Sequence, residues 1–493
     1  MKISLISPYT DVTAIGVRIL SAVLRQAGHE TQLIMLPDAF RDKTVCRDAP
    51  HYNQKIIRQL SELCRGSGLV GISLMTNFFA HAIEITTGLR EVLQIPIIWG
   101  GVHPTVRPEE CLEYADMVCI GEGEDALVTL VNRLEKNEPY TDIPGICYTL
   151  DGQMAKNPVQ SPEPNIDRFP FPDYSMKDHH ILSENMIVPM TNEIIKKKLQ
   201  REALFERLGF IGYQTMTSRG CPFACTYCIN DMLNRMYGNK KKLRWRSVDN
   251  LIEELILVRK QMPHVNFIRF SDDEFFARKP EELAYFAVEY KKKIDLPFSC
   301  LLSPMSVTRD KMAMMVDAGL VLVQMGVQSG SEKMQRLFNR KMMHNQRMMQ
   351  TMQIINEFKE KIYPPSYDFI LDVPEETDED ILDSLRFISK IPKPYRLNVF
   401  GLIPYPGTQM YNLAKQQGLI RNEQDQIYRR FFAMRKINYF NLLFAFCRMG
   451  RCPHFLLKLL ISRPAIFLFN NRIFLPCIRL FYTSGKKIRP QTS

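Results

Sequence analysis

Long uncharged apolar runs, the residue pattern of a leader peptide at its start and acidic residues near the carboxyl end are what this sequence of 493 residues lacks. In its most apolar part, 428–493, the longest stretch without Lys or Arg is 11 residues. A membrane-spanning helix needs ~20. The opening MKISLISPYT has neither the apolar core nor the small-residue cleavage site of a secretory signal. A cytoplasmic, reducing setting is therefore expected, where clustered cysteines serve as metal ligands rather than disulfides. Proline and glycine, at 30 and 24, are too few for a low-complexity chain. No period of 20–50 residues points to a solenoid.

The missing acids redistribute the charge. From Ile427 to Ser493 there is no Asp or Glu, and the same stretch holds 13 Lys or Arg. Subtracting those 13 from the net +11 leaves the first 426 residues at −2. The basic balance belongs to the tail, and no nucleic-acid partner is expected of the main body. The tail mixes its cations with apolar runs such as YFNLLFAFC (439–447) and FLLKLLIS (455–462). Two readings stand. One is an amphipathic segment, peripheral on the inner membrane face and suited to a lipid-like substrate. The other is a set of helices packed on the body or capping its site, with a solvated basic face.

Length and composition predict a globular chain of two or three domains. Over the first 140 residues short apolar runs alternate with helical patterns: KISLISP (2–8), TQLIML (31–36), LVGISLM (69–75), PIIWGG (96–101) and DMVCIGEG (116–123). That alternation predicts a doubly wound α/β sheet, whose ligands bind at the carboxyl ends of the strands. Residues 141–210 are less regular. Five prolines in 157–175 predict an extended linker, followed by a helix over 191–207. Over 211–420 the alternation resumes with six strand–helix units, the pattern of a partial (β/α)6 barrel. A basic, mostly helical region, 421–493, closes the chain.

The strongest local signal is SRGCPFACTYCIN, which places Cys221, Cys225 and Cys228 at Cys-x3-Cys-x2-Cys spacing. Three thiolates on one short loop can hold three irons of a cubane cluster and leave the fourth open for a ligand. A structural zinc site is the alternative, but it needs a fourth Cys or His. The next histidine downstream is His264. Three unrelated buried cysteines are the other alternative.

CxxxCxxC with Tyr227 before the last cysteine resembles the radical SAM superfamily. The resemblance implies a [4Fe–4S] cluster on Cys221, Cys225 and Cys228 that cleaves S-adenosylmethionine to a 5′-deoxyadenosyl radical. It also implies an external electron donor such as flavodoxin or ferredoxin. Ser271-Asp272-Asp273-Glu274 stands where the family binds the methionine amino group. GVQSGSEKMQRLFNRK (326–341) resembles the block that approaches the ribose and carboxylate, through Gln328, Ser329 and Arg340. Unaided, the acidic run also reads as a solvated turn, and Arg340 as a surface cation. ILDVPEET (370–377) resembles the family's GxPGET turn with Asp372 and Glu375 in place of glycines, which argues against close backbone approach there. PYPGT (404–408) fits its final turn. The Met-rich stretch 341–352 reads as helix packing.

The first domain resembles the cobalamin-binding domain that precedes one large radical SAM class, so the resemblance spans about 1–418. It implies cobalamin contacts from Asp11, Thr13 and Gly16, from Ser73, Leu74 and Thr76, from Gly100 and Gly101, and from Gly121, Glu122 and Gly123. DVTAIG has Thr13 where the DxHxxG signature supplies a cobalt-ligating histidine, so no lower ligand is expected from that loop. His103 is expected to brace its own loop. A flavodoxin-like domain without cofactor is the competing reading.

In such a class the commonest outcome is methylation of an unactivated carbon of a small molecule. A radical rearrangement or oxidative cyclisation, as in anaerobic magnesium-protoporphyrin ester cyclase, shares the architecture. A non-catalytic cobalamin or redox sensor would have no use for an open iron site. A methylthiotransferase would need three more cluster cysteines, and Cys46, Cys64, Cys111 and Cys119 are unsuitably placed.

Overall fold

The computed structural model describes residues 1–37, 52–200, 203–238, 243–430, 438–448, 450, 452–471 and 476. Cys46 and the five cations beyond Asn471 lie outside the described residues. Ten cysteines are described, and all are free thiols.

Five apolar segments form the parallel core of the first sheet: β1 (Lys2–Ser7), β2 (Glu30–Met35), β3 (Leu69–Ser73), β4 (Ile97–Gly100) and β5 (Met117–Cys119). They are buried almost throughout because helices cover both faces. Their order is β5-β4-β3-β1-β2, so the winding reverses between β1 and β3. A ligand crevice is expected at the carboxyl ends of those two strands.

Residues 141–210 do more than link. β6 (Ile146–Leu150) and β7 (Gln153–Lys156) extend the sheet beyond β5, and β8 (His180–Ser183) and β9 (Met186–Pro189) extend it beyond β2. These strands are four or five residues long and partly polar, too short to show a period in sequence. The proline-rich 157–175 remains free of strand, and it is anchored at its end. Asp173 accepts from Ser21 Oγ at 2.7 Å, meets His179 Nε2 at 3.0 Å and pairs with Arg25 at 3.1 Å. The helix expected over 191–207 is two, Asn192–Leu199 and Ala203–Leu208.

The second sheet is β10 (Gly212–Thr215), β13 (Phe267–Phe270), β14 (Phe298–Leu302), β15 (Leu320–Gln328), β16 (Ser366–Leu371) and β17 (Arg396–Gly401). All pairs are parallel and follow chain order, as in an open six-stranded barrel. Along β16, Tyr367, Phe369 and Leu371 are buried while Ser366, Asp368 and Ile370 are half-buried, the period of two that a helix-covered strand shows. Between β10 and β13 a short antiparallel ribbon pairs β11 (Ser218–Arg219) with β12 (Arg244–Trp245).

The first tail helix, Tyr439–Cys447, buries Tyr439, Phe440, Leu443 and Phe444 on the barrel, with the Phe444 ring 5.7 Å from that of Phe369. Of the two readings of the tail, packing on the body holds for this helix. Among the described residues no helix is long and apolar enough to cross a membrane.

Candidate cofactor site

The loop after β11 carries Cys221, Cys225 and Cys228, and Cys228 caps the helix Ile229–Met236. It is fastened from below by Asp272, whose buried carboxylate accepts from Thr217 N at 3.0 Å, Thr217 Oγ1 at 2.9 Å and Ser218 Oγ at 2.5 Å. Asn234 holds it from the side through the Cys221 carbonyl at 3.1 Å. Burial pushes the Cys221 thiol up to about 12 and Cys228 up to about 11. Iron binding must therefore displace protons. Among the described residues no three His, Cys, Asp or Glu side chains converge on a single-ion site. The additional cysteines of a methylthiotransferase find no support: Cys64, Cys111 and Cys119 are buried separately in a helix, a second helix and β5.

Arg340 ties this loop to the barrel. Its Nη1 lies 3.7 Å from Cys225 Sγ and 3.4 Å from the Tyr227 hydroxyl, and Nη2 donates to the Gly326 carbonyl at 2.7 Å. Tyr227 is wedged edge-on against Phe338 at 5.0 Å. Arg340 is thus buried rather than a surface cation. Three of the residues expected around S-adenosylmethionine hold orphaned polar atoms: Ser271 Oγ, Glu274 Oε2 and Arg340 Nε are buried without a partner. Each costs about 1–3 kcal/mol unless a ligand or water meets it, and Arg340, which touches Cys225, puts one of these atoms beside the cluster loop. The other oxygen of Glu274 accepts from Ser306. Asp273, at the exposed edge, takes Asn230 Nδ2 at 2.9 Å. Ser329 is turned away, its hydroxyl 3.1 Å from that of Ser384.

Strain gathers in the same loops. Gln328, Asp372 and Glu375 have φ of 68, 60 and 65°. The glycine-like backbone of the GxPGET turn is therefore kept, although Asp and Glu occupy it.

A cavity of about 360 Å³ opens at the carboxyl ends of β1, β3, β4 and β5. Of the residues expected to contact cobalamin, Gly16, Ser73, Gly100, Gly101, Gly121, Glu122 and Gly123 line it. Gly101, at φ 103°, has no room for a side chain, since a Cβ would lie 2.7 Å from the Leu74 carbonyl oxygen. Asp11, Thr13, Leu74 and Thr76 are not in the lining. Asp11 closes a turn on Thr13, accepting from its amide at 2.8 Å and its hydroxyl at 2.6 Å. Thr76 Oγ1 is 3.2 Å from His103 Nδ1, which braces the loop as expected.

The far wall of this cavity was not legible as a site. It comprises Phe169, Pro170, Phe171 and Pro172 of the linker with Thr215, Ser218, Arg219 and Arg246 of the barrel. The repeated Phe-Pro of the linker was the available signal. Glu122 has a second role: it pairs with Arg219 at 3.3 Å and with Arg244, while Arg219 also reaches Glu124 at 2.6 Å.

Two family models match the chain. Residues 1–131 match the B12 binding domain and 215–388 match the Radical SAM superfamily. The chain carries a B12-binding domain followed by a radical SAM domain. The chain is an enzyme, and these two domains imply a [4Fe–4S] cluster, S-adenosylmethionine and cobalamin as its cofactors. It is similar to an uncharacterised methyltransferase of Pyrococcus horikoshii, 24% identical over 85% of this chain and 84% of that one. It is also similar to the bacteriochlorophyllide d C-8(2)-methyltransferase of Chlorobaculum tepidum, 24% identical over 73% of this chain and 71% of the relative. The fold is shared with the radical S-adenosylmethionine methyltransferase TsrM from Kitasatospora setae with cobalamin and a [4Fe–4S] cluster bound. That TM-score is 0.65, at 16% identity, over 85% of this chain and 79% of that chain.

Proposed function

We propose that this enzyme methylates an unactivated carbon of a small molecule. The bound cofactors supply reductive cleavage of S-adenosylmethionine to a 5′-deoxyadenosyl radical and carriage of a methyl group. The observation that carries the reading is a shared cavity. The carboxyl ends of β1, β3, β4 and β5 open on the same space as Thr215, Met216, Ser218 and Arg219, which lead directly into Cys221.

In this reading Cys221, Cys225 and Cys228 hold three irons. Arg340 and Ser271 bind the carboxylate and polar groups of S-adenosylmethionine, and Glu274 accepts from its amino group. Charge-assisted hydrogen bonds in a buried setting give such contacts their strength. Gly16, Ser73, Gly100 and Gly101 hold the cobalamin tail against Phe169 and Phe171, which exclude water from the groove. A flavodoxin- or ferredoxin-type protein delivers the electron.

Anaerobic reconstitution followed by iron and cobalt analysis tests the assignment. Deoxyadenosine and methylated product are then measured with methyl-deuterated S-adenosylmethionine. Both metals and label transfer are expected, and Cys225→Ala is expected to make no deoxyadenosine. Deoxyadenosine from that variant would overturn the cluster assignment, and missing cobalt would overturn the cobalamin half. A rearranged or cyclised product without label would select the cyclase-like alternative.

A further inference from the structure

The last described helices turn an apolar ridge outward. Phe455 and Leu459, one turn apart on the helix His454–Leu460, are 75% and 62% exposed. On the helix Arg463–Phe469, Phe467 is 87% exposed, and Leu468 beside it is 51% exposed. The helices do not lack a core to pack on. Leu457 is fully buried, and Ile466 and Phe469 rest against the barrel core. The ridge is the opposite face of a seated element.

Cations stand among these side chains. Lys458 and Arg463 are exposed and take no acidic partner among the described residues. None exists nearby in sequence, because 427–493 holds 13 Lys or Arg and no Asp or Glu. A second copy of the chain would bring the same cations to the contact, and like charges oppose such pairing. An anionic bilayer fits both features at once. Aromatic and leucine side chains enter the boundary between headgroups and acyl chains, and cations meet the lipid phosphates.

We propose that this ridge docks the enzyme peripherally on an anionic membrane surface. The inference is independent of the cofactor chemistry.

The reconstituted full-length enzyme is co-sedimented with phosphatidylglycerol–phosphatidylethanolamine vesicles and, separately, with phosphatidylcholine vesicles. Pelleting is expected with the first, weakening above about 0.1 M salt as screening shortens the reach of the charges. Each cation near such a surface is worth about fivefold in partitioning. Lys458→Glu/Arg463→Glu should therefore lower binding by about 25-fold or more. Phe455→Asp/Leu459→Asp/Phe467→Asp should abolish it with an unchanged melting temperature; if that variant melts early, the charge variant alone decides. Wild type left in the supernatant with anionic vesicles would overturn the proposal. So would equal pelleting with both lipids, an unaffected charge variant, or a wild-type dimer broken by the triple variant.

Discussion

Arg219 and Glu124 meet at 2.6 Å across the boundary between the two halves of the molecule, two residues before the first cluster cysteine. Arg244, the cross-strand partner of Arg219, grips Glu122 of the same glycine loop. The cavity loop Gly121–Gly123 and the cysteine loop are therefore held in one register by two guanidinium groups. Arg219→Ala is expected to destabilise by about 2–3 kcal/mol, since it leaves a nearly buried carboxylate unpaired and the arginine itself is partly solvated. A double-mutant cycle with Glu124→Ala checks this. The coupling should exceed 1 kcal/mol, and additive losses would mean that the pair does not join the domains.

Arg340 is the buried cation nearest Cys225 and keeps one orphaned donor, Nε. Arg340→Met should weaken S-adenosylmethionine binding by about 10–100-fold in equilibrium dialysis, the range for a lost hydrogen bond to a charged group. Arg340→Lys should recover only part, because a compact ammonium lacks the planar fork that reaches Cys225, Tyr227 and the Gly326 carbonyl from two nitrogens.

The left-handed backbone at Glu375 is retained without glycine. Its side chain is engaged only at the surface, accepting from Gln417 at 2.6 Å. Glu375→Gly should stabilise by about 0.5–1 kcal/mol, since relief of strain exceeds the entropy glycine adds to the unfolded chain. Calorimetry should show a higher transition temperature for the barrel. A fall would mean that the Gln417 contact outweighs the strain.

Asp368, on β16, accepts from Gln324 and Asn398 at 2.8 Å each. Burial pushes its carboxyl up to about 6, against the two hydrogen bonds that lower it. Between the ordinary carboxylate value and 6 the folded state holds a proton that the unfolded state has lost. Stability from this group is therefore full below about pH 4, falls as pH rises to 6 and is flat above. Asp368→Asn removes that slope. Its melting temperature relative to wild type should be higher at pH 8 than at pH 4. An unchanged difference would place the group outside the low-dielectric interior.

Much of the site was legible because it is local. Cysteine spacing, the SRG approach and the order of the strands need only short-range pattern, and each stands where the sequence puts it. Other features were illegible because their partners are far apart in the chain. Glu122 reads as a cofactor contact, and its ion pairs lie 97 and 122 residues away. The Phe-Pro linker reads as a spacer and forms a wall.

By itself, the sequence determined the alternation of strand and helix, the triplet of thiols and the charge of the tail. These follow from side-chain period and type alone. Only the tertiary structure decided which loops share a cavity, that Arg340 lies against Cys225, and which tail side chains face outward. Such relations depend on how separate apolar faces pack together, and no local pattern records that packing.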